Sequence, residues 1–571
     1  MPQKLTSKKQ NILFILLFAA ALALTLWRIS FGYVSHDEAF YITIPDRLLN
    51  GDSLFTDEWQ PTQLTYFITL PFVAIFQKLA GSNDGICLYM RYVYVIFHAL
   101  ISVAIYLSFR KRGFMSVVAS VLYFMFVPGD LMGPGYDSIG VDMVALSAVL
   151  FSTAHCSKHS SILLVVAGFA FACAVLCCPY LVLVYIIYAI AVIVLSIKKK
   201  GSAMFSWKSF LGITVGIAVP ALAFIIFVLS RASISDILNN FKYLLMDPEH
   251  QDFSLTEKMP RYFTSIVLHS ADYFWVVCLL YLAELAAIII DKKRMSHRAY
   301  YFAASLILAF IGLAIFSLCL ISQYFTHIMF PLVLPGFVSY ILLENKPKDI
   351  FIGTFVLGIL YSLCIYMASN QAFFVISMAF SVTNLASLIF IGLFIKEISS
   401  DNGKAGYKLC IAAAILCVGT QALLQTVVKL NHVFRDSAPS ALTETLAGGP
   451  MSGIKTTPAN AAQYNFILAD LSTYNAQPAG NLLILAKQPW YYLAADTQQY
   501  ACYSSCIPGE YEGTIDMLKL YYAENPEKIP DYIYLPKLLS WDYDSLFALA
   551  DEYGYDIIEE TPISYKLEKE S

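Results

Sequence analysis

The chain has 571 residues, of which 58% are hydrophobic and only 14% charged, with a mean hydropathy of +0.63. Soluble domains carry about 25% charged residues, so this composition excludes a string of globular domains and predicts a polytopic α-helical membrane protein in the lipid bilayer. The net charge of -4 hides two unlike parts: residues 430–571 hold 19 Asp and Glu against 8 Lys and Arg, while the remainder carries an excess of seven positive charges. An acidic tail without a concentrated basic face argues against nucleic acid as a partner.

In chain order, apolar runs near the roughly 20 residues needed to span a hydrocarbon core predict about thirteen transmembrane helices. They cover residues 11–33, 88–109, 114–127, 139–154, 162–177, 180–197, 210–229, 266–290, 300–320, 325–342, 350–367, 373–395 and 409–428. The loops on one side of this alternation collect twenty Lys and Arg, from Lys4, Lys8 and Lys9 to Lys396, Lys404 and Lys408. The other side holds seven, although it owns the two longest loops. Positive charge marks the cytoplasmic side, which predicts a cytoplasmic N-terminus and an extracytoplasmic tail for this multi-pass cell-membrane protein.

Two external loops are long, 34–87 and 231–265. The first opens directly after the first span with Ser35-His36-Asp37-Glu38-Ala39-Phe40-Tyr41 and continues through Leu48-Leu49-Asn50-Gly51-Asp52 to Asp57-Glu58-Trp59-Gln60-Pro61. Phe40, Ile44 and Leu48 fall at helical spacing, which predicts an interfacial helix with its polar side toward water, kinked at Pro45. Residues 64–79 form a second candidate, interrupted by Pro71. Carboxylates where a membrane helix meets water are either solvated caps or functional, and an acid in the first turn of a helix is also an ordinary cap.

The order of these features resembles the first external loop of the GT-C membrane glycosyltransferases, which take sugar from a polyprenyl-phosphate donor; protein O-mannosyltransferases and aminoarabinose transferases are among them. The carrying positions are the pair Asp37-Glu38, Tyr41, the turn Leu48-Leu49-Asn50-Gly51-Asp52, and Asp57 and Glu58 before Pro61. The resemblance implies a GT-C-like membrane domain over residues 1–429 and an extracytoplasmic transfer of a hexose or pentose to a glycan, lipid or protein acceptor, with inversion at the anomeric carbon. It also implies Asp37 as base, and Glu38 with Asp137, near the mouth of the fourth span, as groups that position the acceptor. A divalent metal ion, if one is used, falls to Asp37, Glu58 and Asp137. Glu58-Trp59-Gln60-Pro61 departs from the acidic-Lys-Pro arrangement of the lipid A enzymes, leaving His36 as the adjacent polar contact.

Candidate cations for the donor phosphate are Arg231, Lys242, Lys258 and Arg261 of the second long loop, equally readable as basic residues near anionic headgroups. Tyr324 and His327 stand at the external end of the tenth predicted span, lining a donor cavity or packing.

In residues 430–571 the runs 482–486 and 532–535 read as buried strands, and 461–471 and 546–553 as helices, which predicts a small extracytoplasmic α/β accessory domain with a parallel sheet. Cys502 and Cys506 stand together there, at a spacing that an oxidising compartment allows to close as a disulfide. A transporter or flippase of lipid-linked glycans would also fit thirteen spans. It would call for ionisable residues deep in the bundle, of which His98 and Glu284 are candidates. A non-catalytic assembly protein is the third class.

Overall fold

The computed structural model describes residues 7–246, 255–268, 274–318, 327–369, 371, 373–399, 405–495, 497–507, 513–537 and 543–570. Among the described residues, nine helices are long and apolar enough to cross a membrane. Four shorter apolar helices, Met115–Met125, Leu181–Ile197, Phe274–Ile290 and His327–Leu342, fall on the other predicted spans. Each of the thirteen predicted segments coincides with one of these helices. The chain is a multi-pass membrane protein.

Close packing in the bundle follows from small residues, because lipid supplies no hydrophobic drive between helices. Helices Ser160–Cys177 and Trp207–Leu229 approach until a Cβ at Gly168 would collide with the Ile213 backbone and one at Gly216 with Val165. Helix Phe373–Ile398 runs through the middle, 94% buried, whereas Trp207–Leu229 is 22% buried and leaves an apolar face outward.

Helix α1 (Ser7–Arg28) leads into the first long loop, which contains α2 (Asp37–Leu49) and α3 (Tyr66–Ala80) before α4 (Ile86–Phe109) re-enters the bundle. Pro45 and Pro71 sit inside α2 and α3 as predicted. The turn after α2 needs its glycine: Gly51 has φ +109, and the amides of Gly51 and Asp52 return to the carbonyls of Leu48 and Arg47. The expected solvent-facing side of α2 is not open to water. Ten of its thirteen residues are buried, because the tail covers it: the Tyr500 hydroxyl donates to Asp46 (2.6 Å) and Thr43 shares a hydrogen bond with Ser505 (2.7 Å).

Past the last span, Ala405–Asn431, the chain forms a short hairpin of β1 (Glu444–Thr445) and β2 (Lys455–Thr456). A five-stranded sheet follows, of β3 (Asn481–Ile484), β4 (Gln499–Tyr500), β5 (Tyr532–Pro536), β6 (Tyr555–Glu560) and β7 (Ser564–Lys569), in the order β4-β3-β5-β7-β6. The predicted strands 482–486 and 532–535 pair in parallel as β3 and β5. The expectation of a parallel sheet fails for the other half, where β6 and β7 pair antiparallel and β7 runs antiparallel to β5. Three residues join β6 to β7, and so short a connection permits only a hairpin.

The end of the first span is stitched to the tail by main chain. Gly32 donates to the Lys455 carbonyl (2.8 Å) and Lys455 to that of Ser30 (2.7 Å). Gly32, at φ +101, has no room for a side chain, since a Cβ there would strike Val433.

Candidate active site

Asp37 begins α2, and its side chain keeps about a quarter of its surface exposed. Its Oδ2 lies 3.2 Å from Nε of Arg435, and its Oδ1 3.9 Å from Nε2 of His36. The neighbouring carboxylate turns the other way. Glu38 is fully buried and accepts two hydrogen bonds from Arg91, at 2.5 and 2.7 Å. The same guanidinium donates to the carbonyls of Ile29 (2.8 Å), Phe31 (3.2 Å) and Gly32 (2.6 Å). Every oxygen of Glu38 is spent on locking the end of the first span to α4. Glu38, expected to meet the acceptor, is thus turned away from Asp37 and engaged by Arg91.

Tyr41, one turn along α2, is buried against the start of helix α5 (Tyr136–Ala154). Its phenol is pushed well above the usual range, first by burial and then by the charges of Asp137 and, more weakly, Asp37. Asp137 accepts the Ser138 amide (2.8 Å). The approach depends on Gly135, where a Cβ would sit 2.5 Å from Tyr41 Cζ and 2.7 Å from Asp137 Oδ1. The structure therefore brings Asp37, Tyr41 and Asp137 into one electrostatic neighbourhood, with Arg435 at its edge.

No family model and no curated protein sequence matches the chain. Among solved structures, ArnT from Cupriavidus metallidurans, bound to undecaprenyl phosphate, aligns with a TM-score of 0.50 over 97% of this chain and 97% of that one, at 10% identity. The fold is GT-C-like. The oligosaccharyltransferase AglB from Archaeoglobus fulgidus, in complex with an inhibitory peptide and a dolichol-phosphate, aligns with a TM-score of 0.43 at 11% identity, over 97% of this chain and 74% of its own.

Within this GT-C-like frame, the other predicted residues fall elsewhere. Glu58 is fully buried, with Oε2 2.9 Å from Arg47 and Oε1 accepting the Gln60 amide (3.1 Å). Arg47 also binds Asp52 (2.7 Å) and the Asp57 carbonyl (2.7 Å), and Lys528 of the tail binds Asp52 (2.5 Å). Two carboxylates, Asp52 and Glu58, share two cations here. Burial pushes the Glu58 carboxyl up to about 7 despite Arg47, and burial raises Asp57 as well. Glu58 thus closes the first loop on itself through Arg47, Asp52 carries the link to Lys528 of the tail, and none of these contacts reaches Asp37 or Asp137. Among the described residues no group of three or more His, Cys, Asp or Glu side chains converges in a way that could hold a metal ion.

The expected phosphate cations are dispersed. Arg231 donates to the carbonyls of Leu48 and Asp52 and lies over Phe227. Lys258 is buried, donating to the Met367 carbonyl at 3.0 Å. Lys242 lies over its neighbour Tyr243, and Arg261 is exposed. None of these contacts is with Asp37 or Asp137. His327 is buried between Phe316 and Phe373, ring centroids 5.5 and 4.6 Å away, a packing position. Tyr324 lies outside the described residues.

His36 bonds through Nδ1 to the Lys487 carbonyl of the tail, and its Nε2 is 3.8 Å from Cys506 Sγ. Cys502 points instead at Arg47 (3.9 Å). Cys502 and Cys506 are not bonded to each other, where a disulfide was expected: the two sulfurs face different residues of the first loop. His98, considered above as a transport residue, is tied to Asp142 (2.7 Å), which also accepts from Tyr123 (2.8 Å).

Two charged groups of this region carried no sequence signal. Arg435 lies almost 400 residues from Asp37 and reads as an ordinary tail cation. Asp130, at φ +56, is held by Arg28 (3.1 Å) and Lys429 (2.7 Å). Burial disfavours its charge, yet these two cations hold its carboxyl well below the usual range.

Proposed function

We propose that the chain is a membrane glycosyltransferase that transfers a sugar from a polyprenyl-phosphate donor to a glycan, lipid or protein acceptor on the extracytoplasmic side. The carrying observation is the partly exposed Asp37 carboxylate beside buried Tyr41 and Asp137, in a chain folded like ArnT. In this reading Asp37 takes the proton of the acceptor nucleophile. The acceptor atom bonds to the anomeric carbon, the carbon–oxygen bond to the phosphate breaks, and its electron pair leaves with polyprenyl phosphate, inverting the centre. Tyr41 and Asp137 form the wall against which the acceptor is oriented.

The membrane domain, residues 1–429, carries the reaction, and residues 430–571 form an extracytoplasmic accessory domain that roofs α2. The positive-inside distribution supports a cytoplasmic N-terminus.

The test is Asp37→Asn in membranes supplied with polyprenyl-phosphate sugars and candidate acceptors. Loss of a positioned base is expected to slow transfer by about 10²–10⁴-fold at normal expression. Unchanged transfer would remove Asp37 as base, and lipid movement between leaflets without a new glycosidic bond would replace the transferase with a flippase.

A further inference from the structure

The segment after the last span is pinned on both sides of Arg435. On one side, the His432 carbonyl accepts two hydrogen bonds from Arg28, at 2.9 and 3.2 Å, and Val433 seats on Gly32. On the other, the Asp436 carboxylate accepts from the Tyr33 amide (2.8 Å), the Thr456 hydroxyl (2.8 Å), the Asn460 amide (3.2 Å) and the Ser437 amide (2.7 Å).

Between these anchors Arg435 has φ +52, a left-handed conformation that is strained for a residue with a Cβ. Such strain persists only where its surroundings impose it, and it concentrates at functional sites. Its effect here is to aim a guanidinium at Asp37.

That ion pair is loose. The Arg435 side chain is half exposed, and Asp37 Oδ2, although buried, accepts no hydrogen bond. The guanidinium also borders a polar recess of about 460 Å³ lined by His432, Thr457 and Asn460, in which the Asp436 charge is already covered by its four donors. A planar fork of donors, held by backbone strain, poorly matched to its partner and open to a polar recess, suits a phosphate that can engage it bidentately.

We propose that Arg435 is an anion clamp shared between Asp37 and the phosphate of a ligand. Without ligand the guanidinium rests on Asp37. When a phosphate enters the recess the guanidinium transfers to it, and the carboxylate is left unpaired beside Tyr41. The phosphate belongs either to the lipid donor or to a water-soluble phosphate ester; the inference deepens the transferase reading above in naming the residue that would meet the donor's charge.

Competition for one guanidinium predicts a thermodynamic coupling that needs no turnover to observe. With full-length protein in detergent and farnesyl phosphate as probe, Arg435→Gln is expected to weaken binding about tenfold or more, the loss of a charge-assisted hydrogen bond. Asp37→Asn, which releases the guanidinium, is expected to tighten binding about two- to fivefold, the scale of a half-exposed ion pair. In an Arg435→Gln background, Asp37→Asn should tighten nothing. Farnesol should be indifferent to all three changes.

The same pattern with methyl phosphate, competing with farnesyl phosphate, would support the clamp and assign it to a soluble ester; the pattern with farnesyl phosphate alone assigns it to the donor. Equal effects of Asp37→Asn with and without Arg435, or no effect in either, overturn the clamp. Because no transfer step enters this cycle, a flat cycle leaves the base assignment standing. Conversely, a turnover-competent Asp37→Asn leaves the cycle standing.

Discussion

Arg91→Met tests whether the geometry of the Asp37 turn is held by one buried ion pair. Both partners are at most 5% exposed in their side chains, and Arg91 makes two hydrogen bonds to Glu38 and three to main-chain carbonyls of the α1–α2 connection. Removing one member of a buried pair strands the other charge and costs about 3–5 kcal/mol, a large part of a typical stability of about 5–15 kcal/mol. For a membrane protein of this size the working quantity is a rate of heat inactivation. If the whole loss appears in the unfolding barrier, about 3 kcal/mol shortens the half-life roughly a hundredfold. The assay is the fraction remaining monodisperse in detergent after timed heating. The double variant Glu38→Gln with Arg91→Met removes the stranded charge and is expected to recover at least half of the loss. A half-life of Arg91→Met equal to wild type, or a double variant worse than either single change, would refute the argument.

Glu58 gives a pH signature. Its folded carboxyl is pushed up to about 7 against an ordinary 4.5, so the folded chain binds a proton that the unfolded chain has released between those values. The stability it contributes is therefore full below about pH 4.5, declines as pH rises, and is lost above about pH 7, a window of roughly 3 kcal/mol. Stability of wild type relative to Glu58→Gln should fall from about pH 5 to about pH 7; parallel curves would contradict it. Gly135→Ala places a Cβ against the Tyr41 ring, and is expected to cost about 1–3 kcal/mol of stability while transfer falls further than an overpacked wall remote from Asp37 would cause; transfer rate and melting temperature of the same preparation separate the two. Alkylation of the denatured, unreduced chain should label Cys502 and Cys506, and a peptide 2 Da lighter with neither labelled would restore the disulfide.

The spans were legible because each is written in one uninterrupted apolar run, and lipid enforces helix wherever such a run lies. The site was legible only where its parts are close in sequence. Asp37, Tyr41 and the Leu48-to-Asp52 turn fall within one short stretch, and the glycine pattern before Asp137 marks a close approach. Adjacent carboxylates in that stretch could not be sorted by sequence, because the difference between Asp37 and Glu38 is a rotation of about 100° around one helix, decided by Arg91 on another. The burial of α2 was illegible for the same reason: its outer face is polar, and the partners that satisfy it, Tyr500 and Ser505, lie more than 450 residues away. The β6–β7 hairpin was missed because β6 is exposed at five of its six positions and shows no apolar alternation.

The stitch between Ser30–Gly32 and Lys455 also sets an order of events during synthesis. Asp37 emerges from the ribosome early, yet the strand that fixes its turn, the valine that seats on Gly32 and the arginine that faces it are all made after the last span. Until then Arg91 holds the connection, but the carboxylate lacks the arginine that faces it. The reactive corner is thus completed only once the membrane bundle has been threaded, and a chain interrupted before residue 455 would insert without acquiring it.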